Sequence, residues 1–388
     1  MRTLTLFLAL ALVSISQACP FCNAEAGKTL LEEVGEARFV VYGWLESADE
    51  SKETSVIGIE KVIKDDPDRP KGDRLTIKKF LDPNVIDRKK DRVLLFCDFY
   101  KGQPDAYRGV VVKTGSKMPE YIEGVRARKD KPLSERLAFC FNYLDDPDQE
   151  VSGDAYKEFA RSDYSDFKAM AKSLPSARVL KWLTDKTSPA PAFRMGLYAS
   201  MLGHCGKAED ADVVKKLLDD PDRRTSGVDG LLAAYVMLKP KEGFAYLRNV
   251  LKSPKEDFMY RYAALRALRF LNDYRSDLVA RKELVEAACL LLDQDDISDM
   301  AVEDLRKWKA WETAPRVVAL TKKPNIDELT VVKRAVLRYC IQAEGSPEAE
   351  AYLKARTADD PEAVKDAREL LDIEKPAIPA KKPPSPRK

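Results

Sequence analysis

The sequence predicts a multidomain chain, a small all-β barrel followed by an all-α solenoid. Three observations carry that expectation. Between residues 39 and 113, five short runs rich in β-branched and aromatic residues are separated by turn residues. From about residue 126 the apolar spacing turns helical. Within that helical stretch a Leu-Asp-Asp-Pro-Asp turn recurs, with weaker cognates, about every 36 residues. A length of 388 residues with 45% hydrophobic content suits two or more domains, each with its own core.

The first element is a leader. Arg2 precedes an apolar run from Leu4 to Val13, and Ser16-Gln17-Ala18 has the small-x-small form of a cleavage site. Residues 1–18 therefore read as a signal peptide cut after Ala18, and the mature chain is expected to be secreted, periplasmic or in the cell envelope. The run is too short to span a bilayer. The same residues can also be read as a lipoprotein leader with Cys19 acylated, the one route by which this chain would be membrane-bound.

Cleavage would leave Cys19-Pro20-Phe21-Cys22 as the mature terminus. In an oxidising compartment cysteine pairs read as disulfides, and the candidates are Cys19, Cys22, Cys97 and Cys140. Either Cys19 and Cys22 close a short ring, as redox-active Cys-x-x-Cys pairs do, or they join Cys97 and Cys140. The long loops closed in the second case would each contribute on the order of 4 kcal/mol in the chain-entropy model. Cys205, Cys289 and Cys340 fall on apolar helical faces and read as buried free thiols.

Residues 19–125 form the expected β domain. Leu30, Leu31 and Val34 share the face of a short helix, after which strands are expected at 39–45, 55–63, 74–81, 92–100 and 109–113. Asp65-Asp66-Pro67-Asp68 and Lys71-Gly72-Asp73 punctuate the second and third strands. Five short strands in so few residues suit a closed barrel, which leaves no exposed edge. The segments Ala37-Arg38-Phe39-Val40-Val41-Tyr42-Gly43-Trp44-Leu45, Ile59-Glu60-Lys61-Val62-Ile63-Lys64 and Asp91-Arg92-Val93-Leu94-Leu95-Phe96-Cys97 follow the cysteine pair. That order resembles the netrin-like (NTR) module, an OB-type barrel shared with tissue inhibitors of metalloproteinases. The resemblance implies that Cys19 and Cys22 bridge to Cys97 and Cys140. It also implies a metalloprotease inhibitor in which the free α-amino group and carbonyl of Cys19 chelate the enzyme's zinc.

Residues 126–374 carry the repeat. Leu144-Asp145-Asp146-Pro147-Asp148 returns as Leu218-Asp219-Asp220-Pro221-Asp222, with weaker cognates at 251–254, 292–296, 320–324 and 359–362. Leu closes an apolar helix face, Asp leaves the helix, and Pro is pre-set for the next one. Val332, Ala335, Val336, Tyr339 and Cys340 form one helical stripe. Tyr262, Leu265, Leu268 and Leu271 form another, with Ala264 and Ala267 beside them. Asp146-Pro147-Asp148-Gln149-Glu150-Val151, with Ala155 beyond it, resembles the HEAT consensus. That resemblance implies a HEAT-like α-solenoid of six or seven repeats with an extended binding surface.

Charge and chemistry narrow the function. Lys+Arg and Asp+Glu nearly cancel, 66 against 64, so specific nucleic-acid binding is not expected. The balance hides a tail, residues 375–388, with five prolines and five basic residues, which reads as a disordered extension able to touch an acidic surface. A single histidine, His204, removes most histidine catalysis and most zinc sites. His204-Cys205 is no dyad, because neighbours on a helix point about 100° apart. Gly27-Lys28-Thr29 lacks the upstream glycine of a phosphate-binding loop, whose place Cys22 takes. The run from Asp293 to Asp299 has calcium-like spacing, but Ser298 and Asp304 stand where Gly and Glu are required. An inter-helix turn with N-capping carboxylates is expected there instead.

No catalytic, cofactor-binding or metal-ligating residue is therefore expected, and no cofactor. The expected function is non-enzymatic: binding or scaffolding of unidentified protein partners by the solenoid surface and a disulfide-anchored barrel. The alternatives are a thiol–disulfide oxidoreductase using Cys19 and Cys22, and the metalloprotease inhibitor acting through Cys19.

Overall fold

Helix α1 (Leu30–Glu36) starts at a capping box. In the computed structural model, which describes Phe21 and residues 27–185, 192–220, 227–326 and 328–374, Thr29 is its N-cap. The Thr29 hydroxyl accepts from the Glu32 N–H at 3.3 Å, and Glu32 Oε2 accepts from the Thr29 N–H at 2.9 Å. Gly27-Lys28-Thr29 thus leads into a helix cap.

Five antiparallel strands follow: β1 (Phe39–Asp49), β2 (Thr54–Lys64), β3 (Arg74–Ile77), β4 (Arg92–Tyr100) and β5 (Gln103–Val112), hydrogen-bonded in the order β3-β2-β1-β4-β5. Alternate residues of each strand face one side. Phe39, Val41 and Leu45 of β1, Ile57 of β2, Leu75 and Ile77 of β3, Leu95 and Cys97 of β4 and Ala106 of β5 are buried in one shared core. Strand β1 shifts register between Tyr42 and Gly43. A Cβ at Gly43 would lie 2.0 Å from the Gly58 carbonyl oxygen, so this close approach of β1 to β2 requires glycine.

Two strand boundaries differ from the sequence expectation. Strand β3 stops at Ile77, short of residue 81, because beyond the last pair Ser55↔Ile77 the Ser55 hydroxyl takes the Leu81 N–H at 2.9 Å. Strand β5 begins at Gln103, well before residue 109. Lys101 and Gly102 take φ of 50° and 74°, the left-handed pair of a two-residue hairpin that sets Tyr100 opposite Gln103. Pro104 argues against a strand in sequence, yet at the end of a sheet its missing N–H costs no ladder bond.

The rest of the described chain is helical. The helices are α2 (Met118–Arg126), α3 (Leu133–Cys140), α4 (Gln149–Ala160), α5 (Tyr164–Ala171), α6 (Ser176–Thr184), α7 (Met195–Cys205), α8 (Ala211–Asp219) and α9 (Val228–Leu238). They continue as α10 (Pro240–Lys252), α11 (Phe258–Tyr274), α12 (Arg281–Ala288), α13 (Ser298–Lys307), α14 (Ala314–Ala319), α15 (Thr330–Gln342), α16 (Pro347–Asp359) and α17 (Pro361–Glu374). The first Leu-Asp-Asp-Pro-Asp turn leads into α4, where Asp148 is the N-cap and accepts from the Glu150 and Val151 N–H groups. In its later copy, Pro221 and Asp222 lie outside the described residues.

The chain divides into two compact units, Met1–Leu197 and Tyr198–Lys388. In the first, α1 is held to α4 by side chains far apart in sequence. The Leu30 N–H donates to Asp154 Oδ1 at 2.7 Å, and Arg161 pairs with Glu32 at 2.8 Å. Arg108 of β5 pairs with Glu33 of α1 and, at 3.5 Å, with Glu150 of α4, which joins the sheet to both helices.

In the second unit, several helices pack on the next but one as well as on their neighbours. Helix α11 packs on α9, α13 on α15 and α15 on α17, while α10 packs on α12 and α14 on α16. The stripe Val332, Ala335, Val336, Tyr339 and Cys340 is buried, as are Leu265, Leu268 and Leu271. Tyr262 is half-buried instead, stacked on Phe258 with ring centroids 6.1 Å apart. Polar pairs tie this unit at a fixed interval. Arg266 to Asp229, Arg261 to Asp296, Arg269 to Asp304, Arg338 to Glu303 and Arg306 to Gln342 join side chains 35 to 37 residues apart. That interval matches the recurrence of the turn.

Candidate interaction site

Among the cysteines, Cys19 and Cys22 lie outside the described residues. Cys97 and Cys140 are free thiols, both buried. Cys97 sits in the sheet core, and Cys140 lies 3.8 Å from the Tyr121 hydroxyl. Burial pushes the Cys97 thiol up to about 12 and the Cys140 thiol upward as well. Cys289 and Cys340 are buried free thiols and Cys205 is a half-buried one. Burial raises Cys340 to about 12, Cys205 to about 11, and Cys289 in the same direction. A thiol held protonated is a poor nucleophile, so none of these five is prepared for thiol chemistry.

The turn from Asp293 to Asp299 does not cap a helix as expected. The N-cap of α13 is Ile297, with no side-chain cap bond. The carboxylates are taken by basic side chains instead. Asp295 accepts from Lys323 Nζ at 2.6 Å and Asn325 Nδ2 at 2.8 Å, and Asp296 accepts from Arg261 at 2.5 and 2.9 Å. These bonds hold both carboxyls below the usual range. Among the described residues, no group of three or more His, Cys, Asp or Glu side chains is placed to hold a metal ion. No described helix is long and apolar enough to cross a membrane. His204 lies in the last turn of α7, and the tail 375–388 lies outside the described residues.

Each unit contains a buried carboxyl with a raised pKa. Asp154 accepts from the Leu30 N–H at 2.7 Å and the Tyr121 hydroxyl at 2.9 Å, and burial lifts it to about 7 despite both bonds. One turn along α4, Glu158 pairs with Arg136 at 2.8 Å, while its Oε1 is buried without a hydrogen bond. In the second unit, Arg269 Nε donates to both oxygens of Asp304, at 2.9 and 2.7 Å. Burial still outweighs the guanidinium there, and Asp304 rises to about 6.

A groove of about 510 Å³ opens in the second unit, where the ends of α13 and α15 meet α17. Its cationic side is Arg306, Lys307, Lys309 and Arg368. Arg306 is already committed: it donates to Glu303 at 2.7 Å, Gln342 at 2.9 Å and Glu374 at 2.7 Å. Lys307, Lys309 and Arg368 are exposed and form no ion pair or side-chain hydrogen bond among the described residues. Trp311, Ile341 and Leu371 give the groove an apolar side, and Glu344 and Asp372 are its acids. The Trp311 ring stands edge-on to Tyr339, 5.3 Å away, and the Tyr339 hydroxyl donates to the Ala310 carbonyl at 2.7 Å.

The backbone at the rim is unusual. Helix α13 ends in a Schellman turn: the Ala310 N–H bonds the Leu305 carbonyl and the Lys309 N–H bonds the Arg306 carbonyl, both at 2.9 Å. The left-handed position of that turn, normally glycine, is Lys309 at φ 55°. Sequence reasoning missed this groove. Its local trace is Arg306-Lys307-Trp308-Lys309-Ala310-Trp311, two of the chain's four tryptophans among three cations. Its other wall, Arg368 and Leu371, arrives only through the packing of α17.

Compared with family models, curated proteins and solved structures, the chain matches none.

Proposed function

We propose that this is an exported, non-enzymatic protein-binding scaffold, an OB-type barrel followed by a HEAT-like solenoid that presents the binding surface. The groove in the second unit is the observation that carries the reading: three cations without a partner among the described residues, around an apolar wall, in a unit whose described thiols are held protonated. Such a surface offers contact chemistry and no catalytic chemistry. The solenoid is supported by helices that pack on the next but one and by polar pairs that recur at the turn interval. The barrel is supported by the strand order and by Lys79, just past β3, which donates to the Ala106 carbonyl of β5 at 3.4 Å. Export and the fate of Cys19 rest on the leader sequence.

The test places a photo-crosslinking amino acid at Ile341 in the groove, and separately at Tyr100 on the β domain, in the full chain expressed in its own compartment. The scaffold reading expects a discrete protein adduct from position 341. Dithiol-exchange activity of the purified chain, lost on replacing Cys19 and Cys22, together with no adduct from position 341, would establish the oxidoreductase instead. An adduct with a metalloprotease from the N-terminal domain alone would establish the inhibitor.

A further inference from the structure

We infer that the groove between α13, α15 and α17 is a site for an acidic peptide segment with an apolar anchor residue. The inference rests on the scaffold reading and names its ligand class. Lys307, Lys309 and Arg368 stand exposed at the rim with no protein partner among the described residues, so their charges are available to incoming carboxylates. The buried cation, Arg306, is satisfied by Glu303, Gln342 and Glu374 and so serves as part of the wall. Trp311, fixed against Tyr339, and the half-buried Ile341 supply a surface for one apolar side chain. A volume of about 510 Å³ fits a few residues of chain rather than a helix or a domain.

Lys309 singles out the rim. It occupies the left-handed position of a Schellman turn, where a side chain costs stability and glycine would relieve it. The lysine there places an ammonium at the mouth of the groove. A peptide fits these observations better than a nucleic acid. The three cations without a partner among the described residues, set against Glu344 and Asp372, are too few for a phosphate track, and Trp311 and Ile341 give the groove an apolar side.

The test measures fluorescence anisotropy of a fluorescein-labelled peptide of alternating Glu and Leu against the full-length protein, beside a Lys–Leu peptide of equal length. The Glu–Leu peptide is expected to bind, with affinity falling as salt rises. Arg368→Glu should weaken it at least tenfold. Lys309→Gly should weaken it several-fold while leaving the thermal midpoint unchanged or higher, a combination that a merely structural role for Lys309 would not produce. No binding of the Glu–Leu peptide, or binding unchanged in both variants, would overturn the site. The scaffold reading would survive that result if the Ile341 adduct forms. Equal binding of the Lys–Leu peptide, or displacement of the Glu–Leu peptide by a single-stranded oligonucleotide, would overturn the ligand class.

Discussion

Both units pair buried carboxylates with arginines, Glu158 with Arg136 in the first and Asp304 with Arg269 in the second, and the first also holds one, Asp154, on neutral donors. In the first, Asp154 gathers donors from remote parts of the chain, the start of α1 and the Tyr121 hydroxyl, and both are neutral. In the second, the buried Asp304 and Asp229 meet arginines 35 and 37 residues away. Neutral donors offset part of the cost of burying a carboxyl through hydrogen bonds alone, whereas a guanidinium adds its charge. The first arrangement closes a globular unit through a few long-range ties. The second spaces its ties 35 to 37 residues apart, each between nearby helices, so damage should stay local.

Proton linkage separates the two most strongly. Asp154 has a folded pKa of about 7, above its ordinary 3.8, so the folded state holds this proton more tightly than the unfolded chain. Its contribution is complete below about pH 4 and is lost as pH rises through 7, on the order of 4 kcal/mol. Urea unfolding of the first unit should show that loss in the wild type and not in Asp154→Asn. Parallel pH curves for the two proteins would break the comparison.

Removing the cation from the second unit's pair should cost about 3 kcal/mol at pH 8 in Arg269→Met, because Asp304 is left buried and charged. Asp304 titrates at about 6, so the cost should shrink at pH 5, where its carboxyl is protonated. Hydrogen exchange should confine the damage to α11–α13 and their neighbours. Tyr121→Phe deletes one donor to Asp154 and is expected to cost about 1 kcal/mol in the first unit, measured by denaturant midpoint. Lys309→Gly should gain up to about 1 kcal/mol by relieving the left-handed lysine. A loss there would mean that the side chain supports the fold.

Local signals were the legible ones. The turn Leu144-Asp145-Asp146-Pro147-Asp148, the stripe from Val332 to Cys340 and the whole of β4 are written in short-range residue order. Two features run against local propensity and were hidden for that reason. Pro104 masks the start of β5, and Asp154, which shares a helix with exposed charges, looks in sequence like another solvated carboxylate. The groove was hidden differently. Its walls come from residues 306 to 311 and 368 to 372, far apart in the chain, and they become one surface only when α17 packs on α15. The 35-residue polar ladder was half visible, since its interval is the interval of the turns.

The central claim is that the second unit binds protein through this groove. Hydrogen exchange of the full chain with and without the Glu–Leu peptide tests it most directly. The groove account expects slowed exchange at residues 306–311 and 364–372 and no change in β1–β5. Slowed exchange confined to the first unit, or none anywhere at saturating peptide, would contradict it.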